Sequence, residues 1–493
     1  MQDDEVINYA QLDALMDRVA ASLQAHGVQP GQTVALCGHS TPLQAALFLG
    51  ALRAGVVVAP LAGSSSPQAL ASMLADAAPA WVFADASAAG LLPDAVLARC
   101  VALEAGAPGQ PLAAWLVAEG TQPAPVDIAP AHPFNIIYSS GTTGTPKGIV
   151  QSHGMRWAHI ARGAKYGYGR DTVTMLATPL YSNTTLVVFF PTLAFGGTVV
   201  LMRKFQAARY LALAQQHRAT HTMLVPVQYQ RILALPDFGR FDLHHFHTKF
   251  CTSATFPAAL KADCLARWPG GLVEFYGMTE GGGTCILEAH KQPEKLHTVG
   301  QAAEGHDIRL IDEAGTEVQP GQTGEVVGHS PAMMTGYHGQ PDKTREAEWY
   351  APDGRRFIRT GDIGRFDADG FLILSDRKKD IVISGGFNIY PSDLEALLLQ
   401  HPAVAECAVV GVPSAEWGET PVAFAVLQAG AVAGAGAGSD AAINAEALRQ
   451  WLNAQVGRTQ RLSGLRLVDE LPRSAIGKVL KRELRLAWAG GPS

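Results

Sequence analysis

An α/β fold of at least two domains follows from the alternating periods at the start of the chain, from short apolar strand runs, and from a length of 493 residues, more than one hydrophobic core normally supports. Helical spacing of apolar residues runs from Tyr9 to His26, Val34-Ala35-Leu36 reads as a strand, and Leu43 to Leu52 returns to the helical period. Val56-Val57-Val58 and Trp81-Val82-Phe83 continue as buried strands. Far down the chain, Asp376 to Asp380 is a charged interruption between the strand-like Phe371-Leu372-Ile373-Leu374 and Ile381-Val382-Ile383. Pro391-Ser392-Asp393-Leu394-Glu395 predicts a helix start with Asp or Ser as cap. Ala429 to Gly438, nearly all Ala and Gly, is expected to be a disordered surface loop.

Composition excludes several classes. A net charge of −6 with scattered basic residues argues against a nucleic-acid surface. The six cysteines, Cys37, Cys100, Cys251, Cys264, Cys285 and Cys407, include no C-x-x-C pair, so neither a zinc site nor a disulfide framework is indicated and a reducing cytoplasm is the expected compartment. Met1-Gln2-Asp3-Asp4-Glu5 is acidic where a signal peptide would be basic. The longest apolar run, Thr185 to Met202, is interrupted by Pro191 and Gly196-Gly197, so no membrane span is expected.

The densest chemistry lies at Ser139-Ser140-Gly141-Thr142-Thr143-Gly144-Thr145-Pro146-Lys147, entered from Phe134-Asn135-Ile136-Ile137 and left through Ile149-Val150. Glycines let backbone N–H groups close on phosphate oxygens, hydroxyls add donors, and Lys147 adds a point charge, so the segment reads as a triphosphate cradle between two strands. It is not a Walker loop, because no Ser or Thr follows Lys147.

In chain order there follow Tyr276-Gly277-Met278-Thr279-Glu280, Arg359-Thr360-Gly361-Asp362, Asp376-Arg377-Lys378-Lys379-Asp380, Ser384-Gly385-Gly386-Phe387-Asn388-Ile389-Tyr390-Pro391 and Pro472-Arg473-Ser474-Ala475-Ile476-Gly477-Lys478. Together with the loop, this order and spacing resembles the adenylate-forming superfamily of acyl-CoA ligases and peptide-synthetase adenylation domains over nearly the whole chain. The resemblance implies a large domain of layered α/β subdomains (1–378), a small mobile α+β domain (379–493), and a hinge at Lys379. It implies ATP, Mg²⁺ and coenzyme A as reactants with a small carboxylic acid. Ser139, Ser140, Gly141, Thr142, Thr143, Gly144 and Lys147 would hold the β- and γ-phosphates. Tyr276 would stack on the adenine, with a buried core aromatic as the alternative, Glu274 and Gly277 would contact the nucleotide, Thr279 would meet the α-phosphate, and Glu280 would carry the metal. Asp362 and Arg377 would bind the ribose, though either could be half of a surface ion pair. Lys478 resembles the catalytic lysine that stabilises charge between carboxylate and α-phosphate. Gly385 and Gly386 would line the pantetheine tunnel, and Trp417 resembles a tryptophan that packs on CoA; a buried core tryptophan is the alternative.

Tyr181, Ser182, Asn183, Ser253, Ala254, Gly277, Gly282 and Gly283 match the acyl pocket. Peptide-synthetase domains place an aspartate at Ser182 for the substrate ammonium, so an amino acid is disfavoured. Many acyl-CoA ligases carry histidine there, and commonly glycine at the Ser253 position. Both serines favour a short, branched or 2-hydroxylated acid such as 2-hydroxyisobutyrate, while Gly281-Gly282-Gly283 is expected to leave space on another wall. A medium-chain, cyclic or aromatic acid, or transfer to a carrier protein, stays open.

Overall fold

The computed structural model describes all residues except 3, 4, 64, 140–146, 385, 386, 429–431, 434–441, 475, 476 and 491–493, and it leaves undescribed the side chains of 139, 387, 388, 432, 433, 442, 443 and 459. The chain divides into two compact units, one of Met1–Ile308 with Val327–Arg359, the other of Arg309–Val326 with Thr360–Ser493. The strand-flanked turn at Lys379 thus falls inside the second unit.

The first unit carries two twisted sheets. In one, the parallel strands Val57–Leu61, Thr33–Cys37, Trp81–Ala84, Cys100–Ala102 and Gln110–Pro111 lie side by side, and Pro133–Ser139 joins them before turning back antiparallel into Lys147–Ser152. The strands Thr33–Cys37 and Val57–Leu61 are buried at every residue, as a sheet covered on both faces requires. The expected opening helices form over Tyr9–Ala25, capped reciprocally by Asn8 and Gln11, and Pro42–Arg53, capped by Thr41 with proline at its first position. In the other sheet, Thr198–Leu201, Val173–Leu176, His221–Leu224, Thr248–Cys251 and Gly271–Tyr276 run parallel, and Cys285–Glu288 closes back antiparallel. Pro191 does not end the helix Asn183–Ala194 but lies within it. Among the described residues no helix is long and apolar enough to cross a membrane.

The second unit is α+β. The long strands Val404–Ser414 and Gly418–Leu427 form an antiparallel hairpin, Gly464–Leu467 adds in parallel, and the helices Pro391–Leu398 and Ala445–Asn453 pack Leu394, Leu398, Leu448 and Leu452 onto it. The helix at Pro391 starts without the expected side-chain cap: Tyr390 holds the cap position, and proline at the first turn removes one of the donors a cap would satisfy. Of the Ala/Gly stretch, only Val432–Ala433 lies within the described residues.

Candidate active site

In an open parallel sheet, ligands are met at the carboxyl ends of the strands, where loops leave the sheet together. Three of the sequence motifs sit at those ends in the first unit. Val173–Leu176 leads to Tyr181, Ser182 and Asn183, Thr248–Cys251 to Ser253 and Ala254, and Gly271–Tyr276 to Gly277, Thr279 and Glu280. Tyr181, Asn183, Tyr276 and Thr279 are half-buried, Gly277 is exposed, and Ser182 is buried at the start of the helix Asn183–Ala194.

Ser253 is the backbone outlier of this group. Its φ is +83°, in the left-handed region that a serine adopts at a cost of about 1–2 kcal/mol. The hydroxyl is bonded at 2.5 Å to Thr184 Oγ1 in the first turn of the helix Asn183–Ala194, and the preceding Thr252 Oγ1 donates to Phe275 O at 2.8 Å. Two hydroxyls therefore face each other across the acyl-side residues. The sequence indicated the serine but not its partner, because Thr184 sits in the first turn of a helix with no distinguishing spacing.

Gly281, Gly282 and Gly283 do not leave the open space expected of them. A Cβ at Gly281 would stand 1.9 Å from Ala332 O and one at Gly283 1.9 Å from Ile308 Cδ1, so the missing side chains let a neighbouring backbone segment and the Ile308 side chain close on the run. Glu274 is likewise turned from the strand end. It is buried, and its carboxylate is ion-paired with buried Lys261, whose Nζ also donates to Leu296 O and Thr298 O at 2.9 Å each. Burial, the larger influence, raises the Glu274 carboxyl above the usual carboxylate range, and Lys261 opposes it.

On the phosphate side the structure describes Lys147 and the backbone of Ser139; Ser140, Gly141, Thr142, Thr143 and Gly144 lie outside the described residues. Lys147 Nζ stands 5.0 Å from the centre of the Tyr337 ring, and Tyr337 donates its hydroxyl to Glu280 Oε1 at 2.9 Å. One phenol thus joins the cradle's lysine to the carboxylate expected to hold the metal. Burial first, then Glu280, pushes the Tyr337 hydroxyl far up, so it remains a donor at any physiological pH. Tyr337 belongs to the two-residue strand Gly336–Tyr337 beside Lys147–Ser152, too short to show a period in sequence. Thr279 is fixed through its carbonyl, which accepts from Gln151 Nε2 at 2.8 Å. Among the described residues no three His, Cys, Asp or Glu side chains cluster as ligands of one metal ion.

In the second unit Asp362 and Arg377 lie opposite each other on paired strands, with Arg377 Nε 3.1 Å from Asp362 Oδ1, so the two expected ribose partners are neighbours and also an ion pair. Lys379 is exposed in the turn that follows. Lys478 pairs with Ser474 across a tight turn: Ser474 N donates to Lys478 O at 2.8 Å, Lys478 N to Ser474 Oγ at 3.2 Å, and Leu480 N to Pro472 O at 2.8 Å. Gly477 permits the turn with φ +76°, and Arg473, held by Glu406 at 2.7 Å, donates to Gly477 O. Trp417 is 38% exposed in the turn between the two long strands, which excludes the core alternative. Gly385 and Gly386 lie outside the described residues.

Residues 1–338 match the AMP-binding enzyme family and residues 393–478 its C-terminal domain. The chain belongs to the AMP-binding enzyme family. Among its relatives are a feruloyl-CoA synthase of Amycolatopsis sp, 32% identical over 97% of this chain and 93% of that one, and an indoleacetate–CoA ligase of Aromatoleum aromaticum, 32% identical over 97% and 92%. The solved structure of ATP-bound MatB from Rhodopseudomonas palustris superposes with a TM-score of 0.85 at 29% identity, covering 99% of this chain and 95% of that one. The family's motifs, the two-part α/β architecture and these relatives make the protein an adenylate-forming, AMP-forming acyl-CoA ligase that binds ATP.

Proposed function

We propose that this ligase activates a short acid carrying a polar group, represented by 2-hydroxyisobutyrate. The observation that carries this reading is the Ser253–Thr184 hydroxyl pair, kept at a strained backbone position where glycine would sit without cost. A polar wall rewards an acid that replaces its hydrogen bonds and penalises an alkyl chain that does not. Ser182, buried and without a charge, offers no counter-ion for an amino acid.

In the first half-reaction a carboxylate oxygen attacks the α-phosphorus of ATP, the bond to the β-phosphate oxygen breaks, and pyrophosphate leaves with the electron pair. Lys147 meets the phosphates, Thr279 the α-phosphate, Asp362 and Arg377 the ribose, and Lys478 the charge growing between carboxylate and phosphorus. Glu280, oriented by Tyr337, would hold Mg²⁺, which would offset the triphosphate charge. In the second half-reaction the CoA thiol attacks the acyl carbon, AMP leaves, and the thiol proton passes to solvent. Gly385, Gly386 and Trp417 meet CoA, with Lys379 as pivot between the two half-reactions. The relatives named for ferulate and indoleacetate favour an aromatic acid as the second reading.

AMP release with ATP, Mg²⁺ and CoA, measured against 2-hydroxyisobutyrate, isobutyrate, hexanoate, benzoate, ferulate and palmitate, tests both. Highest kcat/KM on the hydroxylated short acid supports the proposal, and highest kcat/KM on ferulate or benzoate replaces it with the second reading.

A further inference from the structure

One side of the helix His153–Arg162 carries three bulky nitrogen bases as successive i, i+3 neighbours, Arg156, His159 and Arg162, over a span of about 9 Å. None belongs to the phosphate, ribose or lysine positions. Arg156 is 1% exposed, wedged between the rings of Phe134 and Phe190 at 5.6 and 5.4 Å, and its Nη2 donates to Asn135 and Asn183 Oδ1 at 3.1 Å and to Gln151. Its Nε is buried without a partner. Arg162 lies over Phe275 at 5.3 Å, one residue before Tyr276. From the facing loop, His306 Nδ1 accepts from Thr284 N at 3.0 Å, immediately after the glycine run.

This group borders the acyl side directly. Asn183, one of the residues matched to the acyl pocket, accepts from Arg156, and Gln151 ties the same cluster to the Thr279 carbonyl. Among the described residues neither Arg156 nor Arg162 forms an ion pair. A fully buried guanidinium beside a half-buried one, both without a carboxylate among the described residues, is costly. The imidazoles add donors rather than charge. His159 Nδ1 stands 3.5 Å from Arg156 Nη1 and so faces a donor, as His306 Nδ1 does, which assigns the proton of each ring to Nε2. Burial, then Arg156, Arg162 and His306, holds His159 well below its ordinary value, and burial with Arg162 and His329 lowers His306 to about 4, so both rings are neutral at pH 7. His159 and Arg162 are half-buried, so both keep part of their surface accessible.

We infer that the acid activated here carries a second carboxylate, received by Arg162 with N–H groups of His159 and His306 beside it and Arg156 behind. The arginine fork matches a carboxylate in two parallel hydrogen bonds, and the low-dielectric setting strengthens them. The inference rests on the short polar acid proposed above and narrows its polar group to an anionic one.

The test compares malonate, succinate, glutarate and adipate with their monomethyl esters and with 2-hydroxyisobutyrate, by AMP release from the full-length protein, wild type and Arg162→Met, with Arg162→Lys as the charge-conserving control and thermal melting to confirm folding. The expected result is at least a tenfold higher kcat/KM for one diacid than for its ester, a preference abolished in Arg162→Met and partly restored in Arg162→Lys. Arg162→Met should also lose the rise in melting temperature that the preferred diacid gives the wild type without ATP. Esters or 2-hydroxyisobutyrate turned over as well as any diacid, or an Arg162→Met loss equal for diacid and ester, overturns the inference and leaves the short-acid ligase standing. Should Arg162→Met fail to fold, the wild-type comparison of diacid with ester decides alone. AMP release with aromatic or long acids only, or with no acid, removes both readings.

Discussion

Replacing Ser253 by glycine and by alanine separates backbone strain from hydroxyl chemistry at one position. At φ +83° an L-residue with a Cβ is strained by about 1–2 kcal/mol, which glycine relieves and alanine keeps. Both variants lose the bond to Thr184, worth about 0.5–1.5 kcal/mol. Glycine also gives the unfolded chain more freedom, which costs the folded state about 0.5–1 kcal/mol. The alanine variant should therefore be destabilised by about 1 kcal/mol and the glycine variant hardly at all, although glycine removes more atoms. Denaturation of the three proteins under matched conditions orders them as wild type and Ser253→Gly together, with Ser253→Ala below. In the AMP-release assay, both variants should lose about 2- to 12-fold in preference for acids with a polar group over isosteric alkyl acids, the equivalent of one hydrogen bond. A glycine variant about 0.5–1 kcal/mol less stable than the alanine variant would show that the backbone at 253 is unstrained. Unchanged acid preference in both would remove the hydroxyl pair from the acyl wall.

Lys478→Ala should lower acid-dependent pyrophosphate exchange into ATP by about a hundredfold or more, with ATP binding retained in a fluorescence titration, because the lysine is assigned to charge that builds only in the transition state. Tyr337→Phe removes the hydrogen bond on Glu280 Oε1 and should raise the Mg²⁺ concentration needed for half-maximal rate by about 3- to 10-fold, read from Mg²⁺ titration of AMP release. Lys379→Pro should leave pyrophosphate exchange in place while stopping thioester formation; equal loss of both would refute the pivot. Lys261→Met strands the buried Glu274 carboxylate and should cost about 3–5 kcal/mol in denaturation experiments, with Lys261→Met/Glu274→Leu recovering a large part of it.

The sequence was most legible where a short apolar strand ends in a loop rich in hydroxyls and glycine. The strands either side of the phosphate segment and the opening helices lie where the periods put them, because buried strands and amphipathic helices write their burial into the chain. Side chains whose meaning depends on what they touch were not legible. Tyr337 is one aromatic among eleven tyrosines until the fold sets it between Lys147 and Glu280. The glycine run reads as space in one dimension and as close backbone packing in three. Glu274 looks like part of the motif that follows it, yet strand alternation sends its carboxylate to Lys261 on the helix Ala258–Arg267.

That contrast bears on where substrate choice is encoded. The groups assigned to ATP chemistry come from loops at strand ends and from strands themselves, as Asp362 and Arg377 do, at positions constrained by phosphate and charge. The groups that would choose the acid come partly from a helix flank, where Arg156, His159 and Arg162 occupy positions that in an ordinary amphipathic helix would be apolar. Keeping cations there costs stability that a Leu or Met would not. A ligand carboxylate would offset that cost, and on this inference polar residues on the buried side of this helix, rather than the motif residues, are the positions at which relatives with the same ATP machinery should diverge in the acid they accept.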